Sequence, residues 1–489
     1  RDSSTSRGLG DVYKRQYVGC NTSCNLAVQT DCIKLDNSIM HRCRNCGDSN
    51  IDNCHQKKEN AKIMREMKNS GVAWIGNIPK AWGLIRYKDK YKNSKEIAGD
   101  KSRSYERLAL TLNGVVKRPK DDSDGLQPKE FDTYQVLHEN DFVFKMIDLQ
   151  NISTSRVGLS PYTGLVSPAY IRFCPKNKKQ YPRFIYYFLV SMYYNCVFNN
   201  LGGDGVRSAL NSSDMGMLLI PYPIEIEQHR IADYLDTACS KVNSLIVNQQ
   251  TQIEKLTQYK QSLITEVVTK GLNPDVPMKD SGVDWIGSMP INWEIIKLKY
   301  ITDVSRGLFN HRPRNDPRLY DGKYPFIQTG DVARAKKYIT TYSQTLNENG
   351  ASVSKLFPKG TMTMTIAANV GDIAILGFDA YFPDSVVGFA VEKGFSENYV
   401  YYLFKSLKES FIHASIVSTQ LNLNIERSKE ILVPVTYAKH EQQQIADFLD
   451  DKCAKIDRLI AIKQEKIDKL NDYKKSLIYE YVTGKREVC

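Results

Sequence analysis

The chain has 489 residues, 42% of them hydrophobic, and a formal net charge of +12. That length is too great for one ordinary core and makes two or three domains the expectation, while no apolar run is long enough to span a bilayer. The positive balance favours a polyanionic partner such as nucleic acid, and with no recognisable signal peptide the expected compartment is the cytoplasm.

Residues 1–63 differ from everything after them. Arg1–Gln16 resembles translated library-adapter sequence, so this head reads as upstream nucleotide sequence carried into the frame, with the natural start at Met64 or Met67. Six of the eleven cysteines fall in it: Cys20, Cys24, Cys32, Cys43, Cys46 and Cys54. Cys43-x2-Cys46 with His55 has the spacing of one zinc knuckle. Without a clear second knuckle it assigns no metal site. Cys174, Cys196, Cys239, Cys453 and Cys489 are scattered and are expected as reduced thiols.

Orderly text begins near Met67. SGVAWIGNIPKAW (Ser70–Trp82) gathers Trp74, Ile75, Ile78, Pro79 and Trp82, and its Ile-Pro step favours an extended or turn conformation. Its expected role is to dock the start of a domain. A first variable block, roughly 86–226, follows. Tyr105–Leu112, Asp141–Leu149, Pro168–Phe173 and Met217–Ile224 read as strands, and Phe184–Tyr194 as an apolar helix. Asn113–Gly125 is a basic-then-acidic loop with Lys117 and Arg118. Asn199–Asp214 is a Gly-rich loop with Arg207, Ser208 and Asn211.

Gln228–Thr269 contains no Gly or Pro, and its apolar residues recur at helical spacing. They are Ile231, Leu235, Ala238, Val242, Leu245, Ile246, Ile253, Leu256, Tyr259, Leu263 and Val267. Leu235, Val242, Leu256 and Leu263 share one heptad position, interrupted by Gln249. Such a seam predicts a long helix packed on another helix, roughly 60 Å in length at ~1.5 Å per residue. Gly271–Asp280, with two prolines, is a plausible boundary. The second block, roughly 295–437, has a basic loop with Arg306, His311, Arg312, Arg314 and Arg318. Pro325–Val332 and Thr361–Leu376 read as strands broken by turns, Glu430–Val435 as a strand, and Tyr399–Leu407 as a helix. Val417–Asn424, with Thr419, Gln420 and Asn422, precedes the last strand as Val206–Asn211 does in the first block.

Two segments return. Ser70–Trp82 reappears as SGVDWIGSMPINW (Ser281–Trp293), shifted by 211 positions, and the long helix reappears as Glu441–Val482, shifted by 214. A fixed internal repeat decides architecture before local reading does. The expected organisation is a head (1–63), block one (64–226), a helix (227–270), linker and block two (271–437), and a second helix (438–489). This is an α+β, pseudo-two-fold arrangement of two globular α/β blocks and two long helices paired as a coiled coil. The pairing residues are Leu235, Val242, Leu256 and Leu263, with Leu449, Ile456, Leu470 and Leu477.

Motifs of catalysis are missing: no phosphate-binding loop, no nucleophile elbow and no paired histidines at metal spacing. Asn273-Pro274-Asp275 lacks the aromatic residue with which an amino-methylating motif clamps its base. The chain is therefore expected to bind rather than to cut or transfer.

The two tryptophan motifs, the paired IADYLD and IADFLD helix starts, IEKLTQYKQSLITEVVTKG with its copy, and VGLSPYTGLVSPAYIRF (Val157–Phe173) resemble the DNA-specificity subunit of type I restriction–modification systems. The resemblance spans Met67 to about Arg486. It implies a non-catalytic subunit whose two target recognition domains each contact half of an asymmetric, bipartite double-stranded DNA sequence. The helices would pair antiparallel as a spacer and dock two methyltransferase (modification) subunits, with restriction/translocase subunits completing the assembly. AdoMet, ATP and Mg²⁺ would belong to those partners, and no cofactor to this chain. Within that reading Arg207, Ser208 and Asn211, with Thr419, Gln420 and Asn422, are candidate base readers. Lys117, Arg118, Arg312 and Arg314 are candidate phosphate contacts. A coiled-coil scaffold without DNA, or part of a fused restriction–methyltransferase enzyme, are the alternatives; the first leaves two unlike globular blocks unexplained, the second lacks catalytic motifs.

Overall fold

The computed structural model describes residues 65–488 except 113, 122–129, 147–155, 178, 202–208, 312, 367–369, 414 and 418–420. The cysteine-rich head with its zinc-knuckle spacing, and Cys489, lie outside the described residues.

Four helices organise the chain: α1 (Arg183–Tyr194), α2 (Glu225–Lys270), α3 (Glu397–Ser406) and α4 (Lys439–Val482). The long ones, α2 and α4, have 46 and 44 residues. The first turn carries Glu225 and Glu227 in α2 and Glu441 in α4, negative charge that favours the exposed N–H groups. Each ends at a glycine with positive φ, Gly271 at +73° and Gly484 at +70°, the left-handed stop that a side chain disfavours. The chain divides into two compact units, one built from residues up to Ile246 plus those from Asp468, the other from Val247–Ile467. Both long helices are shared out, so each unit holds the start of one and the end of the other.

In the first unit Tyr234 lies against Tyr481, ring centroids 4.5 Å apart, and the Lys474 ammonium donates to Asn243 Oδ1 at 2.8 Å. Residue numbers rise along α2 while those of its partner fall, so the helices run antiparallel. In the second unit Lys260 bonds the Asp457 carboxylate at 2.7 Å and Lys463 bonds Gln252, again antiparallel. Leu235, Val242, Leu449, Ile456 and Leu477 are buried, and Leu256, Leu263 and Leu470 half-buried, as the heptad seam requires. Leu245 and Tyr259 depart from that expectation. The second row of the seam lies four residues beyond the first, at Cys239, Ile246 and Ile253, which are buried or half-buried; Leu245 and Tyr259 flank it and are 47% and 58% exposed.

The two variable blocks share little text but one topology. In the first, a sheet runs Tyr91–Asn93, Ile171–Pro175, Phe142–Lys145, Arg156–Leu159. Its counterpart runs Thr302–Arg306, Val386–Val391, Met362–Thr365, Ile373–Leu376, with Tyr338–Ile339 added at the edge. A second sheet follows Gly114–Arg118, Arg107–Thr111, Gly164–Val166, Gln135–Leu137. It is matched by Gln344–Leu346, Tyr320–Phe326, Ala380–Tyr381, Leu356–Phe357. Each second sheet has the same single parallel pairing, Leu165 with Arg107 and Phe326 with Tyr381. One expected strand is corrected. Pro325–Val332 is strand only to Phe326, because Asp331 accepts from the Gln328 backbone N–H at 2.8 Å and starts the short helix Thr329–Arg334.

Each block is closed by pairing its first strand with its last. Gly83–Arg86 pairs Leu219–Tyr222, and Glu294–Lys297 pairs Leu432–Val435, both antiparallel. Immediately before the first strand sits the tryptophan motif, and the docking role expected of it is what the structure shows. The buried Trp82 indole N–H donates to Glu227 at the start of α2, at 2.9 Å. In the same unit Tyr479, near the end of α4, donates to the Trp74 carbonyl at 3.1 Å. The second unit repeats this with Trp293 donating to Glu441 at 3.2 Å and Gly271 lying against the Trp293 ring. A Cβ on Gly484 would meet the Pro79 ring at 2.4 Å, whereas one on Gly282, also at positive φ, would meet nothing within 4 Å. Gly282→Ala should therefore cost only the ~1–2 kcal/mol of left-handed strain, and Gly484→Ala clearly more. Urea unfolding followed by tryptophan fluorescence measures both; equal losses would refute close packing at the end of α4.

Candidate nucleic-acid interface

Polyanion contacts require cations that are exposed, held in place and present at matching positions if both blocks bind alike. The loop joining the first edge strand to the second sheet meets this condition in each block. In the first block it contains the 3₁₀ turn Gly99–Ser104, which carries exposed Lys101 and Arg103. The turn is stapled from three directions. Gly99 N–H donates to the Asp132 carbonyl at 3.0 Å, the Ser102 hydroxyl to Asp132 Oδ1 at 2.5 Å, and the Lys120 ammonium to the Ser102 carbonyl at 2.9 Å. Two cations are thus presented on a preorganised backbone, and neither is ion-paired among the described residues. Such ordering in advance reduces the entropy lost on binding.

In the second block the equivalent loop is arginine-rich and tied down by carboxylates. Arg314 grips both oxygens of Asp384 at 2.6 Å, and Arg306 Nε donates to the Asp384 carbonyl at 2.8 Å. Arg318 bonds Asp316 at 3.0 and 2.7 Å, and His311 meets the same carboxylate at 3.1 Å. The Arg318 hydrogen bonds, first of all, hold the Asp316 carboxyl well below the usual carboxylate range. These arginines are fixed in direction, with part of their field cancelled.

The structure distributes the sequence candidates unevenly. Arg207, Ser208, Thr419, Gln420 and Arg312 lie outside the described residues, and Asn422 is described by its backbone alone, in the strand Leu421–Leu423. Lys117 sits on an exposed strand, 2.6 Å from Glu106, whose carboxylate raises the lysine above its ordinary pKa. Arg118 follows on the same strand, opposite Arg107. Asn211 caps the short helix Ser212–Gly216, accepting from the Ser213 and Asp214 amides at 2.8 and 3.0 Å. Its counterpart is Asn424, which caps Ile425–Lys429 by accepting from Arg427 N at 3.1 Å. The pairing of Asn211 with Asn422 is corrected accordingly: the cap, not the text, aligns the two loops.

Lys101 and Arg103 were not singled out in the sequence, because two cations in a short polar loop form no periodic or motif signal. A row of exposed lysines, Lys88, Lys92 and Lys95 with Lys176 and Lys179, was missed as well. It lines the edge strand Tyr91–Asn93 of the first block only; the equivalent strand of the second carries Asp303. The row is therefore no shared feature of the two blocks.

Several known proteins resemble this chain. A family model described as the type I restriction modification DNA specificity domain matches residues 89–255 and 290–472. The type I restriction enzyme MjaVIII specificity subunit of Methanocaldococcus jannaschii is 24% identical over 449 residues, covering 88% of this chain and 97% of that protein. The MjaIX specificity subunit of the same organism is 30% identical over 170 residues, 34% of this chain and 38% of its own. A solved chain from a study of complex assembly and conformational transition of the type I R-M system shares the fold, with TM-score 0.59 and 13% identity. It covers 83% of this chain and 98% of that one.

If Lys101 and Arg103 meet phosphates, Lys101→Ala and Arg103→Ala should each weaken binding to all DNA sequences alike. Each should also reduce the slope of log affinity against log salt by ~1. Fluorescence anisotropy across a salt series reads this, and an unchanged slope removes the turn from the interface.

Proposed function

This chain belongs to the type I restriction–modification DNA-specificity family, and from that premise we propose how it performs a specificity subunit's role. Each globular block reads one half of a bipartite, asymmetric double-stranded DNA target, and the two long helices set the unread gap. The observation that carries this reading is the shared strand order on two blocks of unlike text. One scaffold with two different surfaces suits two different half-sites. Helices of 46 and 44 residues extend about 66–69 Å at ~1.5 Å per residue, ample for half-sites a helical turn of roughly 34–36 Å apart.

We further propose that the helices dock two modification subunits, with restriction/translocase subunits joining them. Exposed apolar residues flanking the helix seam support this. Leu245 and Tyr259 on α2 have repeat counterparts in Leu459 and Tyr473 on α4, which are 48% and 53% exposed. The first unit thus presents Leu245 and Tyr473, and the second Leu459 and Tyr259. Equivalent apolar pairs on a duplicated scaffold fit two copies of one partner. The chemistry of methyl transfer and translocation, with AdoMet, ATP and Mg²⁺, falls to those partners in this reading. Among the described residues no group of His, Cys, Asp and Glu could hold a metal ion, and no helix is long and apolar enough to cross a membrane.

Methylome sequencing of a host carrying this gene with its modification and restriction partners tests the proposal. The expected result is methylation at two unlike half-sites across one fixed gap. A single continuous motif, or none dependent on this gene, would contradict it. The double variant Tyr259→Ala with Tyr473→Ala should lose modification subunits in size-exclusion chromatography with light scattering while remaining folded. Retention of two such subunits would remove the apolar pairs from the docking surface.

A further inference from the structure

A three-membered polar contact recurs where each block meets its long helix. On α2, Asp236 accepts from the Tyr187 hydroxyl at 2.5 Å, from Arg183 Nε at 3.1 Å and again from Arg183 Nη2. On α4, Asp450 accepts from the Tyr402 hydroxyl at 2.6 Å and from the Lys337 ammonium at 2.6 and 2.7 Å. Asp236 and Asp450 are repeat equivalents, 214 positions apart. The tyrosines also correspond, since Tyr187 lies on α1 and Tyr402 on α3, the matching helices of the two blocks. The cations do not correspond. Arg183 opens α1, while Lys337 comes from the segment before Tyr338–Ile339, a strand with no counterpart among the described residues of the first block.

The same carboxylate therefore has a cation in both units, supplied from two unrelated places. A contact inherited passively from duplication would keep both partners or lose one. Recruitment of a new cation to the retained Tyr–Asp pair indicates that the contact itself is what both blocks require. Both tyrosine rings are buried, while the carboxylates stay partly exposed. Half-exposed ion pairs contribute little to net stability. Charge-assisted hydrogen bonds, by contrast, are directional and fix orientation.

We propose that Asp236 and Asp450 are positioning residues, each holding its recognition block at a fixed angle on its long helix so that the two half-sites are read only at one spacing. This rests on the bipartite reading given above. The clamps set how strictly the gap is measured, whereas helix length sets its value.

The test uses the full chain assembled with its modification subunits and duplexes in which the half-sites stand at the native gap, one base pair shorter or one longer. Asp450→Asn and Tyr402→Phe should each reduce the preference for the native gap by roughly tenfold, as a lost buried or charge-assisted hydrogen bond would. Preference for the bases within each half-site should not change. Lys337→Arg, which keeps the cation, should retain the gap preference. Val433→Ala, a core truncation in the same unit, should lower the melting temperature without touching it. Unchanged gap preference in the Asp450 and Tyr402 variants, or uniform weakening at all three gaps, would overturn the proposal. If the unaltered complex prefers no bipartite sequence, the functional reading itself fails, and the clamp proposal falls with it.

Discussion

Each compact unit depends on one junction, where a buried tryptophan stands between the start of one long helix and the end of the other. Trp82 donates to Glu227 at the head of α2, and the Pro79–Trp82 turn receives Gly484 at the tail of α4. Trp293 does the same for Glu441 and Gly271. Neither junction can form from one helix alone. Burying an indole with its N–H satisfied by a carboxylate is favourable only when the surrounding apolar surface is complete. The antiparallel pairing of the helices is therefore a condition for the core of each unit rather than an addition to it. That is why the last residues of the chain lie in the same unit as the first described ones.

A second consequence concerns the blocks. Because the first and last strands of each block hydrogen-bond to one another, everything between them leaves and returns at one place. The surfaces can then differ without disturbing the junction, provided the strand order is kept. This explains how two blocks with a common topology carry unlike loops: a stapled 3₁₀ turn with exposed cations in one, carboxylate-held arginines in the other. Clamps such as Tyr187–Asp236 and Tyr402–Asp450 then add directional contacts to the apolar packing of α1 and α3 on the long helices.

The features legible in the sequence were those with local or periodic causes. An uninterrupted run without Gly or Pro predicted α2 to within three residues at its start, and the repeated Ser70–Trp82 text marked the junction. The common topology was not legible, because strand order arises from pairings between distant residues, such as Leu165 with Arg107, and the two blocks share little text. Helical spacing gathered Leu245 with Leu235 on one apolar face, but only Leu235 lies on the heptad seam, and Leu245, one position before the seam residue Ile246, is left open. Asn211 looked like a reader because Asn suits adenine recognition, but the same side chain suits a helix cap, and the structure places it there. In Pro325–Val332 a break in the strand was legible but the short helix after Phe326 was not, because β-like composition hid the capping role of Asp331.

The central claim is that the two blocks are interchangeable readers on a fixed spacer. Exchanging residues 87–218 with 298–431, between the closing strands, and sequencing the methylome of a host carrying the exchanged gene with its partners tests it directly. The account predicts the same two half-sites in swapped order across an unchanged gap. A folded protein that directs methylation to the original order, or to a sequence unrelated to either half-site, would contradict it.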